Sequence, residues 1–406
     1  MAPSPSLLSV ADALAMVLAS APRPLQAERI PICEALGRTA AKAVAALRTQ
    51  PPFAASAMDG YAVRAADLGS GHRLAVIGAA PAGHAFAGRV GPGEAVRIFT
   101  GAPLPDGADT ILIQEDAEAG PDGVLPKAAP KAGTFVRPAG LDFAQGRELL
   151  AAGHRFTPRS QALAAAMGHG FVEVTRRPLV AILATGDELV RPGEPARPDQ
   201  IVASNTYAVA GMAEAAGARA LDLGIAGDTF QALERAIERA EAAGADVLVT
   251  LGGASVGDHD LVQSALTRRG MRLGFWRIAM RPGKPLIFGS LGATHILGLP
   301  GNPVSSIVCA RLFLMPLLRA LAGDPEAGAD PSEPAVLGAP VGANDSRQDY
   351  VRAVSSLGPD GLRRVTALGV QDSSMLRVLS EADCLLVRPP HAPAAAAGEA
   401  CRIVRL

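Results

Sequence analysis

The sequence predicts a multidomain α/β protein with a central parallel α/β domain, an inserted small β domain and a further β domain near its C-terminus. At 406 residues the chain exceeds what one ordinary core supports, so several domains are expected. Strand-like and helix-like segments alternate from 178 to 322, which is typical of a parallel sheet covered by helices. Short β-rich runs occupy the regions on either side.

The first 24 residues predict an amphipathic helix. They lack the layout of a signal peptide, because no basic residue precedes Arg23 and Asp12 interrupts the apolar part. The region from about 50 to 140 predicts the small β domain, since it has short β-rich runs and no long helical pattern. These runs are LAVIGAAPAG, AVRIFTG and ADTILIQEDAEA.

Five consecutive segments predict the alternation of the central domain. They are PLVAILATG, SNTYAVAGMAEAAG, RALDLGIAGD, TFQALERAIERAEAAG and ADVLVTLGG. In the fourth, Phe230, Leu233, Ile237 and Ala240 recur at helical spacing and predict one buried helix face. The run DVLVTL is apolar except for its threonine, as in strands buried on both faces. After a Pro/Gly-rich linker at 322–340, the runs RRVTALGV, DCLLVRPP and CRIVRL predict the last β domain.

Composition limits the classes of partner. With 38 basic and 39 acidic residues the formal charge is -1, so no overall field favours nucleic acid or an anionic membrane. The longest apolar stretch, 305–323, contains two arginines and a proline and predicts no membrane span. The four cysteines lie far apart, which argues against a zinc knuckle or disulfide scaffold and favours a reducing cytoplasm. They are Cys33, Cys309, Cys384 and Cys401.

Acidic residues follow the strands of the central domain at three places. These are Asp187 with Glu188, then Asp228, then Asp258 with Asp260. In open parallel sheets, ligands bind at the carboxyl ends of the strands. Asp187 and Asp228 could each be a helix N-cap. Three acidic turns on one edge nevertheless favour a bound cation, because clustered carboxylates repel one another.

The stretch TLGGASVGDHDLVQSAL adds a glycine-rich turn to these acids. Gly252, Gly253, Ser255 and Gly257 predict a cradle for a phosphate or pyrophosphate. Carboxylates beside such a cradle predict a hard cation, most simply Mg²⁺, that bridges to the same phosphate. The predicted ligand is therefore an anion that binds together with its metal.

The same turn also fits the GxSxG pattern of a hydrolase. Ser255 would be the nucleophile, with His295 or His391 completing a triad. Against this, Asp258 and Asp260 place negative charge where an oxyanion would form, and no HGGG-type loop lies upstream. The phosphate interpretation is favoured.

Two other turns could bind anions. In RIAMRPGKPLIFG, Arg281 and Lys284 surround a Pro-Gly turn; Lys284 is either a cation aimed at a phosphate or a solvated turn residue. In ILGLPGNPVSS, Asn302 fits a helix N-cap and Pro303 the first helical position. Ser305 and the free N–H groups there would form a second anion site.

Taken in order, these motifs resemble the MoeA/gephyrin E-domain family, the molybdopterin molybdenumtransferases. The resemblance rests on PPFAASAMDGYAVR, IFTGAPLP, ATGDEL, GGASVGDHD, MRPGKP and GLPGNPVS, which follow the family's order and spacing along nearly the whole chain. It implies a cytoplasmic homodimer whose site lies between the α/β domain of one subunit and parts of the other. Four domains are implied: an elongated one (1–50 plus 140–177), the inserted β domain (51–139), the molybdopterin-binding α/β domain (178–325) and a C-terminal β barrel (326–406).

The resemblance also implies an activity and a set of site residues. Such proteins accept adenylylated molybdopterin and molybdate and, with a divalent metal, release AMP and molybdenum cofactor. Molybdopterin adenylyltransferase and molybdoenzyme apoproteins are the implied partners. The implied catalytic residues are Asp59, Thr100, Glu188, Asp228 and Asp260. The expected Mg²⁺ ligands are Glu188, Asp228, Asp258 and Asp260, and the expected substrate-binding residues are Gly252, Gly253, Ser255, Gly257, Lys284, Pro300, Pro303, Ser305, Arg352 and Ser373.

We expect the acids to bind Mg²⁺ and orient the hydrolytic water, and the Lys, Arg and Ser groups to bind phosphate and molybdate oxygens. Two departures from the family pattern are Arg281, where many relatives carry lysine, and Leu141, which replaces a common glutamate. Two other functions stay open: a molybdopterin adenylyltransferase, whose GGTG turn is GGAS here, and a non-catalytic scaffold. The intact acids argue against the scaffold.

Overall fold

A six-stranded sheet forms the centre of the α/β domain. The structure is a computed structural model that describes residues 7–253 and 261–406. The sheet has six strands in the order Arg219–Ala226, Leu179–Thr185, Val247–Leu251, Thr294–Leu299, Ile287–Leu291 and Arg272–Trp276. The first four are parallel, whereas Ile287–Leu291 is antiparallel to both of its neighbours. The predicted parallel α/β domain is confirmed, and a hairpin adds one antiparallel strand to it.

Helices bury apolar residues against this sheet. They are Asn205–Ala215, Phe230–Ala242, Leu261–Arg268 and the helical stretch Pro303–Leu321. Helix Phe230–Ala242 buries Leu233, Ile237 and Ala240 of the predicted face together with Ala236, while Phe230 is only half-buried. All five residues of Val247–Leu251 are buried, as predicted for a central strand.

The helical stretch Pro303–Leu321 winds more widely in its middle. A π-helical segment, Ala310–Leu314, lies just before Pro316. Proline crowds the preceding turn and donates no hydrogen bond, so a wider turn accommodates its ring. The 19 residues are long and apolar enough to cross a bilayer by length and composition (mean hydropathy 1.7), yet 72% of that stretch is buried in the protein. It packs in the main core, where the N-terminal helix Val10–Ala19 also inserts its apolar face.

The inserted β domain contains a four-stranded sheet and a hairpin. The sheet order is Ala75–Ala80, Glu94–Ile98, Gly60–Val63 and Thr110–Ile113, and the hairpin joins Ala117–Gly120 to Gly123–Pro126. Segments on either side of this domain pair with each other: Ala27–Pro31 with Phe171–Thr175, Val44–Ala45 with Glu148–Leu150, and Ala55–Ser56 with Val136–Arg137. With helix Pro158–Ala166 they enclose a separate core around Phe143, Phe156 and Met167.

The C-terminal part forms a closed barrel. Its strands follow the order Ser332–Leu337, Arg363–Ala367, Gln348–Leu357, Cys384–Arg388 and Ala400–Arg405, and the last pairs with the first. This confirms the barrel implied by the resemblance. The short strand Met280–Arg281 adds to Gln348–Leu357. All four cysteines are free.

Candidate active site

A cleft of about 900 Å³ opens at the carboxyl ends of the parallel strands. The turns that follow Thr185, Ala226, Leu251 and Leu299 line it. The structure brings together six of the residues predicted from the sequence: Glu188, Asp228, Gly252, Gly253, Pro300 and Pro303. Ser255, Gly257, Asp258 and Asp260 lie outside the described residues.

Gly252 lets the turns at the floor of the cleft approach one another. Its φ is 101°, and a Cβ there would lie 2.9 Å from both the carbonyl oxygen and the Oγ1 of Thr185. The Gly252 N–H donates to Leu299 O at 3.1 Å, so it is not free for a phosphate. The predicted role of Gly252 as a phosphate donor is therefore replaced by one in backbone packing.

The acids of the cleft differ in what they contact. The Asp187 carboxylate accepts a hydrogen bond from the Asp228 N–H at 3.1 Å and so joins two strand-end turns. Helix Phe230–Ala242 is capped by Thr229, which accepts from Ala232 N at 3.2 Å, so neither aspartate is its N-cap. In the described part of the chain, the carboxylates of Glu188 and Asp228 contact no hydrogen-bond donor or cation. Both are free for a ligand.

These two carboxylates fit a Mg²⁺ ion. Among residues 7–253 and 261–406 no group of three His, Cys, Asp or Glu side chains is arranged to hold a metal. Mg²⁺ is commonly held by only one or two carboxylates together with substrate phosphates and water. Two carboxylates match the number that such a Mg²⁺ site commonly uses.

The N-terminus of helix Asn205–Ala215 faces the same cleft. Ser204, Asn205 and Thr206 all line it. The Asn205 side chain donates to Gly301 O at 2.8 Å and fixes the turn before Pro303. Because a helix N-terminus carries partial positive charge, this wall favours an anion.

A loop of the C-terminal barrel closes the other side. Asn302 stands at the N-cap position of Pro303–Cys309, as predicted, but its side chain donates to Ser373 Oγ at 3.0 Å instead of capping the helix. Val304 N donates to Ser373 O at 3.1 Å, and the neighbouring Ser374 lines the cleft. Ser373 is thus held at the cleft margin.

Arg352 supports this loop from behind. Its side chain is only 2% exposed, and it donates from Nε to Gln371 Oε1 at 3.2 Å and from Nη1 to Asp372 O at 2.8 Å. Burial lowers the pKa of Arg352, while the charge of Asp372 opposes that shift. Arg352 contacts the loop that carries Ser373 and does not line the cleft, whereas the sequence interpretation made it a substrate ligand.

Lys284, Arg281 and Ser305, which were predicted at two anion-binding turns, lie at different places relative to the cleft. Lys284 is exposed and directly precedes Pro285, which lines the cleft. Arg281 is paired with Asp345 at 3.3 Å and with Asp349, and the bond to Asp349 is the main cause of its raised pKa. Arg281 therefore attaches the barrel to the α/β domain. Ser305 is 5% exposed and lies behind the lining residues.

Asp59 and Thr100 lie in the inserted β domain and do not line the described cleft. Asp59 Oδ1 accepts from the Thr100 N–H at 2.7 Å and from Thr100 Oγ1 at 2.8 Å. The backbone and side-chain bonds from Thr100, followed by the charge of Arg97, hold the pKa of Asp59 below its usual value, although burial opposes them. Its carboxylate is ionised at neutral pH.

Arg277 was missed by the sequence interpretation. It follows strand Arg272–Trp276, which ends at the sheet edge that carries the cleft. Arg277 has a positive φ of 88°, and its guanidinium lies 4.2 Å from the Trp276 ring. Its Nε is buried without a hydrogen-bond partner in the described structure. Residues held in such a strained backbone conformation often have a function. Arg277 was missed because no sequence pattern reveals a positive φ in arginine.

The two histidines that the hydrolase interpretation offers as its base lie away from the cleft. His295 is the second residue of the strand Thr294–Leu299, whose other end forms the cleft, and its Nδ1 contacts Ser20 Oγ at 3.2 Å. Burial lowers the pKa of His295. His391 lies in an exposed loop of the barrel. Neither histidine lines the cleft.

The architecture and cleft define a multidomain protein built on a molybdopterin-binding type of α/β domain. Residues 181–320 match the family model of a probable molybdopterin binding domain. Residues 8–168 match the MoeA N-terminal region (domain I and II), and residues 334–406 match the MoeA C-terminal region (domain IV).

Full-length relatives make the assignment more specific. The chain is 33% identical over 398 residues to a molybdopterin molybdenumtransferase of Haemophilus influenzae, covering 98% of both chains. It is 37% identical over 329 residues to one from Nostoc sp., covering 79% of this chain and 75% of the relative. A solved molybdopterin biosynthesis MoeA protein from Pyrococcus horikosii shares 30% identity at a TM-score of 0.83, covering 98% and 99% of the two chains. The chain belongs to the MoeA family of molybdopterin molybdenumtransferases, which are enzymes.

Proposed function

We propose that this chain inserts molybdenum from molybdate into adenylylated molybdopterin and releases AMP and molybdenum cofactor. The observation that carries the proposal is one cleft that combines two free carboxylates, Glu188 and Asp228, with the N-terminus of helix Asn205–Ala215. Carboxylates bind a hard cation, whereas a helix N-terminus attracts phosphate. A metal-bound pyrophosphate needs both.

Glu188 and Asp228 would hold Mg²⁺ and orient the hydrolytic water. When bound, the ion would offset the negative charge of the pyrophosphate oxygens as the link breaks. Asp187 accepts a hydrogen bond from the Asp228 N–H, so the backbone position of Asp228 is set before the substrate binds. The first turn of helix Asn205–Ala215 would bind phosphate oxygens with its N–H groups.

Lys284 and Ser373 would bind phosphate and molybdate oxygens. The Ser373 hydroxyl accepts a hydrogen bond from Asn302, which leaves its own proton free to donate to an oxyanion. Lys284 supplies a point charge beside Pro285. In this arrangement the carboxylates bind the metal, and the cationic and hydroxyl groups bind the substrate anions.

The proposal is tested with purified protein, adenylylated molybdopterin and Mg²⁺, with or without molybdate. AMP is measured by chromatography, and cofactor by reconstitution of an apo-molybdoenzyme. We expect AMP release and cofactor formation to require molybdate. Tight substrate binding without release would contradict the proposal and indicate a scaffold, and ATP-dependent adenylylation of molybdopterin would indicate an adenylyltransferase.

We further propose a cytoplasmic homodimer, in which Asp59 and Thr100 of a second copy complete the cleft. An apolar groove of about 1150 Å³ between the N-terminal helix and helix Asn205–Ala215 supports association, because it leaves Leu14, Tyr207 and Met212 at the surface. Light scattering should give twice the chain mass of 41.4 kDa. A monomer at assay concentrations that is fully active would contradict this.

We also propose two kinds of partner protein. Molybdopterin adenylyltransferase would supply the adenylylated substrate, and molybdoenzyme apoproteins would receive the molybdenum cofactor.

A further inference from the structure

The Asp59–Thr100 pair presents only hydrogen-bond acceptors. The carboxylate accepts both Thr100 bonds on Oδ1, so Oδ2 stays available to a ligand. Because the Thr100 hydroxyl donates its one proton to Asp59, its oxygen can only accept from anything else. The pair therefore fits a ligand edge that carries N–H donors, and it repels phosphate or molybdate.

Exposed apolar side chains lie on the two loops that carry this pair. Phe99 and Met58 are its direct neighbours in sequence and are 37% and 39% exposed, and Phe53 is 41% exposed. Their two loops are joined, since the Gly101 N–H donates to Ser56 O at 2.9 Å. Large apolar side chains beside a fixed carboxylate suit a flat heterocycle with donors along one edge.

The Phe99 ring is held by a cation. The Arg97 guanidinium lies 5.0 Å from the Phe99 ring centre, a distance at which cation–π attraction holds. Arg97 is itself fixed, because Nη1 donates to Gly60 O at 3.1 Å and Nη2 to Gln114 Oε1 at 2.8 Å. The ring is thus oriented before any ligand binds, which lowers the entropy cost of stacking.

A metal fits this place less well than a heterocycle. In the part of the chain that the structure describes, Asp59 belongs to no group of three metal-ligating side chains. One of its oxygens already accepts two hydrogen bonds from Thr100. Of the two rings in adenylylated molybdopterin, the pterin offers adjacent N3–H and 2-amino donors, whereas adenine places an acceptor nitrogen beside its amino group.

We propose that Asp59 and Thr100 recognise the aminopyrimidinone edge of the substrate's pterin ring, with Phe99 stacked on its face. This inference rests on the proposed function, and in the proposed dimer the pair would serve the cleft of the second copy. It makes Asp59 a specificity-determining residue, whereas the sequence interpretation placed it among the catalytic residues.

The first test separates recognition of the ring from metal binding. For Asp59→Asn we expect the KM for adenylylated molybdopterin to rise about ten- to a hundredfold, the usual effect of losing a hydrogen bond to a charged group. The Mg²⁺ concentration for half-maximal activity and kcat should stay unchanged. Thr100→Val, which removes the hydroxyl, should raise the same KM and leave kcat unchanged. Asp109→Asn is the control, because that carboxylate also accepts a backbone N–H, from Ala65 at 2.7 Å, in the same domain.

A change in the Mg²⁺ requirement of Asp59→Asn, a fall in kcat alone, or no change at all would overturn the proposal.

The second test needs neither molybdate nor turnover and therefore stays valid if the proposed function fails. Full-length protein is titrated with pterin and with lumazine, which carries oxygen in place of the 2-amino group, and binding is followed by fluorescence. The wild type should prefer pterin about tenfold and Asp59→Asn should not. Equal affinity of the wild type for both compounds, or binding of neither at millimolar concentration, would overturn the inference.

Discussion

Replacing Glu188 by glutamine is expected to lower the rate of AMP release about 100- to 1,000-fold, the loss typical of removing one preorganised electrostatic group. Glutamine keeps the size of the side chain but removes the negative charge, so Asp228 alone would face the cation. Substrate affinity should change little, because in the proposed arrangement the helix N-terminus and Lys284 would still bind the phosphates. The measurement is kcat at saturating substrate over a range of Mg²⁺ concentrations, and excess Mg²⁺ should restore part of the rate.

Glu194→Gln is the matched control for Glu188. Glu194 is an exposed carboxylate in the neighbouring loop that accepts a hydrogen bond from the Arg191 N–H at 3.1 Å and does not line the cleft. Its substitution removes the same charge from the same region and should leave the rate unchanged. If Glu188→Gln turned over at the wild-type rate, or lost rate with an unaltered Mg²⁺ requirement, Glu188 would not be a metal ligand.

The position of the cleft follows from the sequence because of a simple geometric rule. Parallel strands end at one edge of their sheet, so residues that follow different strands must meet there. Glu188, Asp228 and Gly252 meet in this way although 64 positions of the chain separate the first from the last. The rule needs only strand directions, which the alternation of strand and helix patterns already indicates.

Hydrogen-bond partners within the cleft do not follow from such a rule. Asp187, Asp228 and Thr229 all carry side-chain oxygens near the start of a helix, and only the backbone geometry decides that Thr229 caps it while Asp187 holds Asp228. The pairing of Asp59 with Thr100 joins positions 41 residues apart in a domain without helical periodicity. The sequence therefore identified both as site residues through the family resemblance, but not the acceptor-only character that they have together.

The role of Arg352 shows the same limit and can be tested directly. Arg352→Leu removes the bond from Nη1 to Asp372 O and the bond from Nε to Gln371. Because Arg352 is buried and both of these bonds would be lost, we expect the free energy of unfolding to fall by about 2 kcal/mol. The loop that holds Ser373 should also lose its fixed position, which would raise the KM for molybdate. Urea denaturation and molybdate titration are the two measurements.

Arg377→Leu is the control for Arg352→Leu. It removes an arginine near the loop that carries Ser373 but not one of the bonds that hold this loop. Arg377 is 73% exposed and pairs with Glu381 on the helix that follows the loop, so its loss should cost less than about 0.5 kcal/mol. If Arg352→Leu raised the KM for molybdate while its urea midpoint stayed that of the wild type, Arg352 would be a substrate ligand, as the sequence interpretation has it. A lower urea midpoint together with a raised KM would instead show that Arg352 acts on molybdate through the loop that carries Ser373.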